Sequence, residues 1–77
     1  MVKPTSVTNT IRTLRFTHGE MTQADLAERV DVTRQTIIAI EQGKYSPSLE
    51  MAFRIAGVFE VPLEEVFQYP KAFDHKV

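Results

Sequence analysis

The stretch MTQADLAERVDVTRQTIIAIEQGKYSPS, Met21 to Ser48, decides the architecture. It reads as two short helices joined by a tight turn. Thr22 can cap the first helix. Asp25, three residues later, completes a capping-box pattern, in which two side chains satisfy each other's backbone N–H groups. Leu26, Ala27 and Val30 recur at helical spacing and define a stripe to be buried. Asp31-Val32 makes the turn, and Thr33 can cap the second helix. Gly43 stops that helix, because a helix C-terminus often needs the left-handed conformation that glycine takes freely.

In the second helix, Ile37 and Ile40 face inward with Val32. Arg34, Gln35, Ala39 and Gln42 fall on the outer side. A short helix that offers Arg and Gln from its first turn is shaped to enter a DNA major groove. A guanidinium can bond a guanine edge in bidentate fashion, and an amide can do the same to adenine.

The pieces TQADLAERV, VTRQTI and IEQGKYSPSLEMAFRIA, followed by VPLEEVF, resemble the Cro/C1-type helix-turn-helix family, also called the Xre family of transcriptional regulators. The resemblance spans roughly Ile11 to Phe67, and the combination is far more specific than any one piece. Within the family the chain is similar to very short regulators that consist of the DNA-binding domain and little else. One departure is the loop HGEMTQ, His18 to Gln23, one residue longer than the usual KGLTQ form, which leaves the end of the first helix open. The resemblance implies a mainly all-α fold, a five-helix bundle of the phage-repressor DNA-binding type.

The 77 residues suffice for one small domain, expected over residues 1–77 with a core at about 8–69. So short a chain buries a limited share of its surface and gains from oligomerisation. Cysteine is absent, which excludes disulfides and thiolate metal sites. No apolar run approaches the roughly 20 residues of a membrane span, and MVKPTSVT lacks the apolar core of a signal peptide. The expected location is the cytoplasm, on the nucleoid, with no membrane partner. Nine basic and ten acidic residues give a formal charge of −1, while DNA binding favours a positive surface. The acids concentrate in Glu50, Glu60, Glu64, Glu65 and Asp74. Between Thr33 and Ser48 only Glu41 opposes Arg34 and Lys44. The reading is a neutral-to-basic face on an acidic body, a balance that a protein without a DNA role could also show.

Around the central stretch, a first helix is expected from about Thr8 to Thr17, burying Ile11, Leu14 and Val7, with Gly19 ending it. Pro47 bars helix in the Lys44–Pro47 loop, and Ser48 caps a fourth helix. Leu49, Ala52, Phe53, Ile55, Ala56 and Phe59 give that helix a broad apolar face and mark it as the central core helix. Pro62 suits the first turn of a short fifth helix, which Leu63, Val66 and Phe67 pack back onto the core. Ser6-Val7-Thr8 and Phe67-Gln68-Tyr69 are β-favouring, and Pro70 forbids helix beyond. The resemblance implies a small antiparallel sheet from the two chain ends, used for dimerisation, whereas composition alone also allows frayed tails. AFDHKV, beyond Lys71, is expected to be mobile, with Phe73 able to pack on a partner.

By resemblance, Gln23 touches a DNA phosphate and braces the recognition helix; a solvated helix start is the plainer reading. Arg34 and Gln35 are the expected base readers, against the alternative of a phosphate contact and a spacer. Thr33 and Thr36 suit phosphates. Ile38 and Ala39 can meet thymine methyl groups or simply shield and clear the helix edge. Lys44 and Tyr45 are expected on backbone phosphates, Tyr45 alternatively packing over the loop. The resemblance also pairs Arg15 with Glu41 as a partly buried structural ion pair; two independent surface charges are the alternative.

Enzymatic readings fare badly. His18 and His75 lack a neighbouring Ser, Cys or carboxylate arrangement for nucleophilic or metal chemistry, and three glycines make no phosphate loop. No cofactor and no small-molecule ligand are evident. The leading expectation is a sequence-specific, dimeric regulator of transcription. It would act as a repressor that places recognition helix 33–42 on a palindromic operator in double-stranded DNA. Val7, Phe67, Gln68 and Tyr69 are expected in its homodimer interface. The alternative is an antitoxin-like or other protein-interaction module on the same fold, which the aromatic C-terminal segment keeps open.

Overall fold

The computed structural model describes residues 5–69. Its elements in order are β1 (Thr8–Asn9), α1 (Ile11–Thr17), α2 (Gln23–Arg29), α3 (Arg34–Glu41), α4 (Leu49–Phe59), α5 (Leu63–Val66) and β2 (Phe67–Gln68). Three helices begin where a side-chain oxygen takes up an otherwise unpaired N–H group. The Thr22 hydroxyl accepts from the Asp25 N–H at 2.9 Å, and the Asp25 carboxylate accepts from the Thr22 N–H at 3.1 Å. Thr33 accepts from Thr36 N–H at 3.2 Å and Ser48 from Met51 N–H at 3.1 Å. Each such cap contributes about 1 kcal/mol.

Asp31 takes the turn between α2 and α3 at φ 62°, and the Val32 N–H donates to the Ala27 carbonyl at 2.9 Å. Gly43, at φ 73°, follows α3. There the N–H groups of Gly43 and Lys44 donate to the carbonyls of Ile40 and Ala39, which satisfies the end of the helix. The longer loop before α2 is absorbed by two successive left-handed residues, Gly19 and Glu20, at φ 81° and 55°. Met21 N–H then donates to the Arg15 carbonyl at 2.9 Å, and the Met21 side chain enters the core.

One buried cluster draws on all five helices: Ile11, Leu26, Ile37, Ile40, Ile55, Phe59 and Val66 are wholly or almost wholly covered. Leu14, Val32, Leu63 and Phe67 pack against it half-buried, as their spacing predicted. His18 lies edge-on to Phe59, ring centroids 5.2 Å apart.

Three expectations are corrected. First, α1 starts at Ile11 rather than Thr8. Thr8 and Asn9 form β1, which pairs antiparallel with β2 in the register Thr8 with Gln68 and Asn9 with Phe67. The helix cannot extend back because Thr10 N–H donates to the Val66 carbonyl at 2.9 Å, on the far end of the chain. The two chain ends therefore do form a small sheet. Second, Leu49 and Phe53 are 66% and 55% exposed, not core residues. The apolar stripe of α4 is wider than the core can cover, and Ala52, Ile55, Ala56 and Phe59 fill the available contact. Third, Pro62 flanks α5 as its N-cap, one place before the first turn. Val7 is half-buried. Pro70, Phe73, Asp74 and His75, with the expected mobility of AFDHKV, lie outside the described residues.

Candidate nucleic-acid interface

Helix α3 divides its residues between two tasks. Ile37 and Ile40 are buried and fix its rotation about its own axis. Arg34 and Gln35, on its first turn, are exposed, while Thr36, Ile38 and Ala39 are half-buried along its flanks. The Thr33 and Thr36 hydroxyls lie 3.1 Å apart. One of them donates to the other, so one O–H of the pair is left to point outward. Lys44 and Tyr45 follow α3 and are exposed, Tyr45 at 47%. Among the described residues, Arg34 and Lys44 form no ion pair.

The far end of α3 is clamped. Arg15 donates from Nε to Glu41 Oε2 at 2.7 Å, from Nη2 to Oε1 at 3.2 Å, and from Nη1 to the Met21 carbonyl at 2.8 Å. Only 14% and 9% of the Arg15 and Glu41 side chains are exposed. This is a bidentate, charge-assisted pair. Gln23 adds an amide hydrogen bond to Glu41 Oε1 at 3.2 Å. The first residue of α2 is thereby tied to the last residue of α3, and its second amide hydrogen stays available. From the other side, Asn9 Nδ2 donates to the Ile40 carbonyl at 3.0 Å. The Thr22 N–H and hydroxyl, with Arg29 adding to them, hold the Asp25 carboxyl below the ordinary carboxylate range, although burial opposes this slightly.

An open groove of about 1120 Å³ runs past this clamp, and Arg12, Phe16, Gln23, Arg34 and Gln42 are among its walls. Gln23 and Arg34, each expected on DNA, both line it. Arg12 of α1, a cation outside the Thr33–Ser48 stretch, lines the same groove. Asn9 was missed because its role depends on a residue 31 positions away. The expected dimer residues Val7 and Phe67 line a different, apolar groove. Gln68 donates to the Glu64 carbonyl of its own chain at 3.0 Å, and Tyr69 is 45% exposed. Glu50, Glu60, Glu64 and Glu65 are exposed on α4, α5 and the turn between them. Among the described residues no helix is long and apolar enough to cross a membrane.

A helix-turn-helix family model matches residues 11–66. A relative from Methanocaldococcus jannaschii, described as an uncharacterized HTH-type transcriptional regulator, is 52% identical over 61 residues, covering 79% of this chain and 91% of that one. One with the same description from Methanothermobacter thermautotrophicus is 61% identical, covering 74% and 88%. A solved chain from Bacteroides fragilis superposes with a TM-score of 0.69 at 24% identity, covering 80% of this chain and 98% of the other. A transcriptional regulator from Listeria innocua superposes with a TM-score of 0.65 at 17% identity, covering 90% and 67%. At these identities the structural likeness is one of fold.

Proposed function

Because the chain belongs to the Cro/C1-type (Xre) helix-turn-helix family of transcriptional regulators, DNA-binding proteins rather than enzymes, we propose that it is a sequence-specific repressor that binds a palindromic operator as a homodimer. The segment Thr33–Gln42 enters the major groove. Arg34 and Gln35 read base edges, and Ile38 and Ala39 meet thymine methyl groups. Gln23, Thr33, Thr36, Lys44 and Tyr45 hold phosphates and set the register. Two copies, joined through α5, Val7 and Phe67 to Tyr69, put their readers into successive grooves roughly 34 Å apart. Occupancy of the site, in the cytoplasm and on the nucleoid, then excludes polymerase or its partners.

The observation that carries this reading is the asymmetry of α3. Its first turn shows Arg34 and Gln35 to solvent, while Ile37, Ile40 and the Arg15–Glu41–Gln23 network hold everything behind them. Readers held in place before contact lose less conformational entropy on binding. Selection of bound sites from a random double-stranded DNA pool tests it. The expected product is an inverted repeat with half-site centres about 10 base pairs apart. A pool that converges on no sequence would sink the proposal.

A further inference from the structure

Two apolar features lie side by side on the surface that the core leaves uncovered. One is a knob: Phe53, 55% exposed, one helical turn beyond Leu49, itself 66% exposed. The other is a groove of about 280 Å³ whose walls include Val7, Pro47, Leu49, Ala52, Leu63 and Phe67, with no charged side chain among the described residues that line it. That volume is several times the ~30 Å³ share of a water molecule, so the groove admits a large side chain, and its lining selects an apolar one.

We propose that Phe53 of each copy seats in the groove of a second copy, and that this reciprocal exchange anchors the dimer contact at Val7, Leu63 of α5 and Phe67. The assignment rests on the dimeric reading above and names its surface. Knob and hole share a wall, since Leu49 belongs to both. Because the exchange is reciprocal, it closes about a twofold axis, whereas a one-way insertion would be free to propagate into a filament. Charge agrees with the same axis. Glu50 and Arg54 form an exposed i, i+4 pair beside the knob at 3.0 Å. Antiparallel α4 helices bring the Glu50 end of one copy toward the Arg54 end of the other, so the flanks are complementary rather than repulsive. Area sets the strength. A patch of this kind covers a few hundred Å², short of roughly 800 Å² per partner in a standard interface. The free dimer is therefore weak, and the operator, by holding both copies, completes it.

Sedimentation equilibrium of the full chain from roughly 1 to 100 μM, bracketing micromolar affinity, tests the assignment. Circular dichroism confirms that each variant is folded. Phe53→Glu should raise the dimer dissociation constant at least about thirty-fold, the effect of losing a central apolar anchor. Thr17→Glu, which adds the same charge to an exposed part of α1, should leave it unchanged. The chain has no cysteine, so a second measurement is available. Leu49→Cys chains mixed with Phe53→Cys chains should form the mixed disulfide faster than either variant forms its own. A dimeric wild type whose Phe53→Glu variant remains equally dimeric overturns this surface and leaves the dimer standing. A wild type that stays monomeric and occupies its operator as single copies overturns the dimer as well. An intact α4 with no preference for the mixed disulfide also overturns the surface.

Discussion

Helices α3 and α4 bury their inner faces in the same core and differ in what they turn outward. Beyond Ile37 and Ile40, α3 shows Arg, Gln and Thr, groups whose hydrogen bonds need a polar partner of defined geometry. Beyond Ala52, Ile55, Ala56 and Phe59, α4 shows Leu49 and Phe53, which need only to leave water. The lesson is that burial alone does not separate a structural helix from a functional one. The outer face does, and its chemistry states the class of partner.

The sharpest break of that comparison comes from its inner faces. Ile55→Ala should destabilise the fold by about 3 kcal/mol, from lost transfer energy and a residual cavity. Phe53→Ala on the same helix should stay within about 0.5 kcal/mol, as at exposed sites. Urea denaturation at dilute protein separates the two, and equal losses would return Phe53 to the core. Next is the clamp behind α3. Glu41→Ala leaves the Arg15 charge and the Gln23 amide without their partner, at a cost of about 3 kcal/mol. Arg54→Ala, which breaks the exposed pair on α4, should cost no more than about 0.5 kcal/mol. Thermal melts that rank these two the other way would dismiss the clamp.

The outer face of α3 comes third. Arg34→Ala and Gln35→Ala should each weaken operator binding by about 1–3 kcal/mol and relax preference at one or two base pairs. Equal losses on operator and unrelated DNA would reassign them to phosphates. Lys44→Ala should weaken all sequences alike and lower the salt slope by about one, and titrations at several salt concentrations will show whether the preferred sequence moves instead. The smallest effect belongs to the cap of α2. The folded-state carboxyl of Asp25 is held below its ordinary value. Its stabilisation is therefore present above the unfolded-chain value and lost as pH falls through the folded one. Asp25→Asn should melt slightly below the wild type at neutral pH, and the gap should close in acid. A gap that persists there would mean that the charge contributes nothing.

What could be read from the residues follows the range of the forces involved. The boundaries of α2 and α3 were legible because Thr22, Asp25, Thr33 and Gly43 act on backbone groups within four positions. The ion pair Arg15–Glu41 was reached by resemblance, and the contribution of Gln23 to it is a matter of geometry. The start of α1 was misjudged because Thr8 is committed by Gln68, 60 residues on. Periodicity flagged Leu49 and Phe53 as apolar, but it cannot tell a face that meets the core from one that meets another molecule.

The pairing of β1 with β2 joins residues 8 and 68 and so closes almost the whole chain into a ring, with two residues on each side to hold it. Ring closure over such a length carries an entropic cost that grows with the logarithm of the loop, and contacts so distant in sequence slow folding. The α2–turn–α3 unit has no such debt, since its caps and turn are local. We expect the helix-turn-helix to form before the seam. A neighbouring copy that covers Val7 and Phe67 would steady the last-formed part of the molecule. Dilution would be felt first in amide exchange at Asn9, Thr10 and Gln68, and only afterwards in the helices.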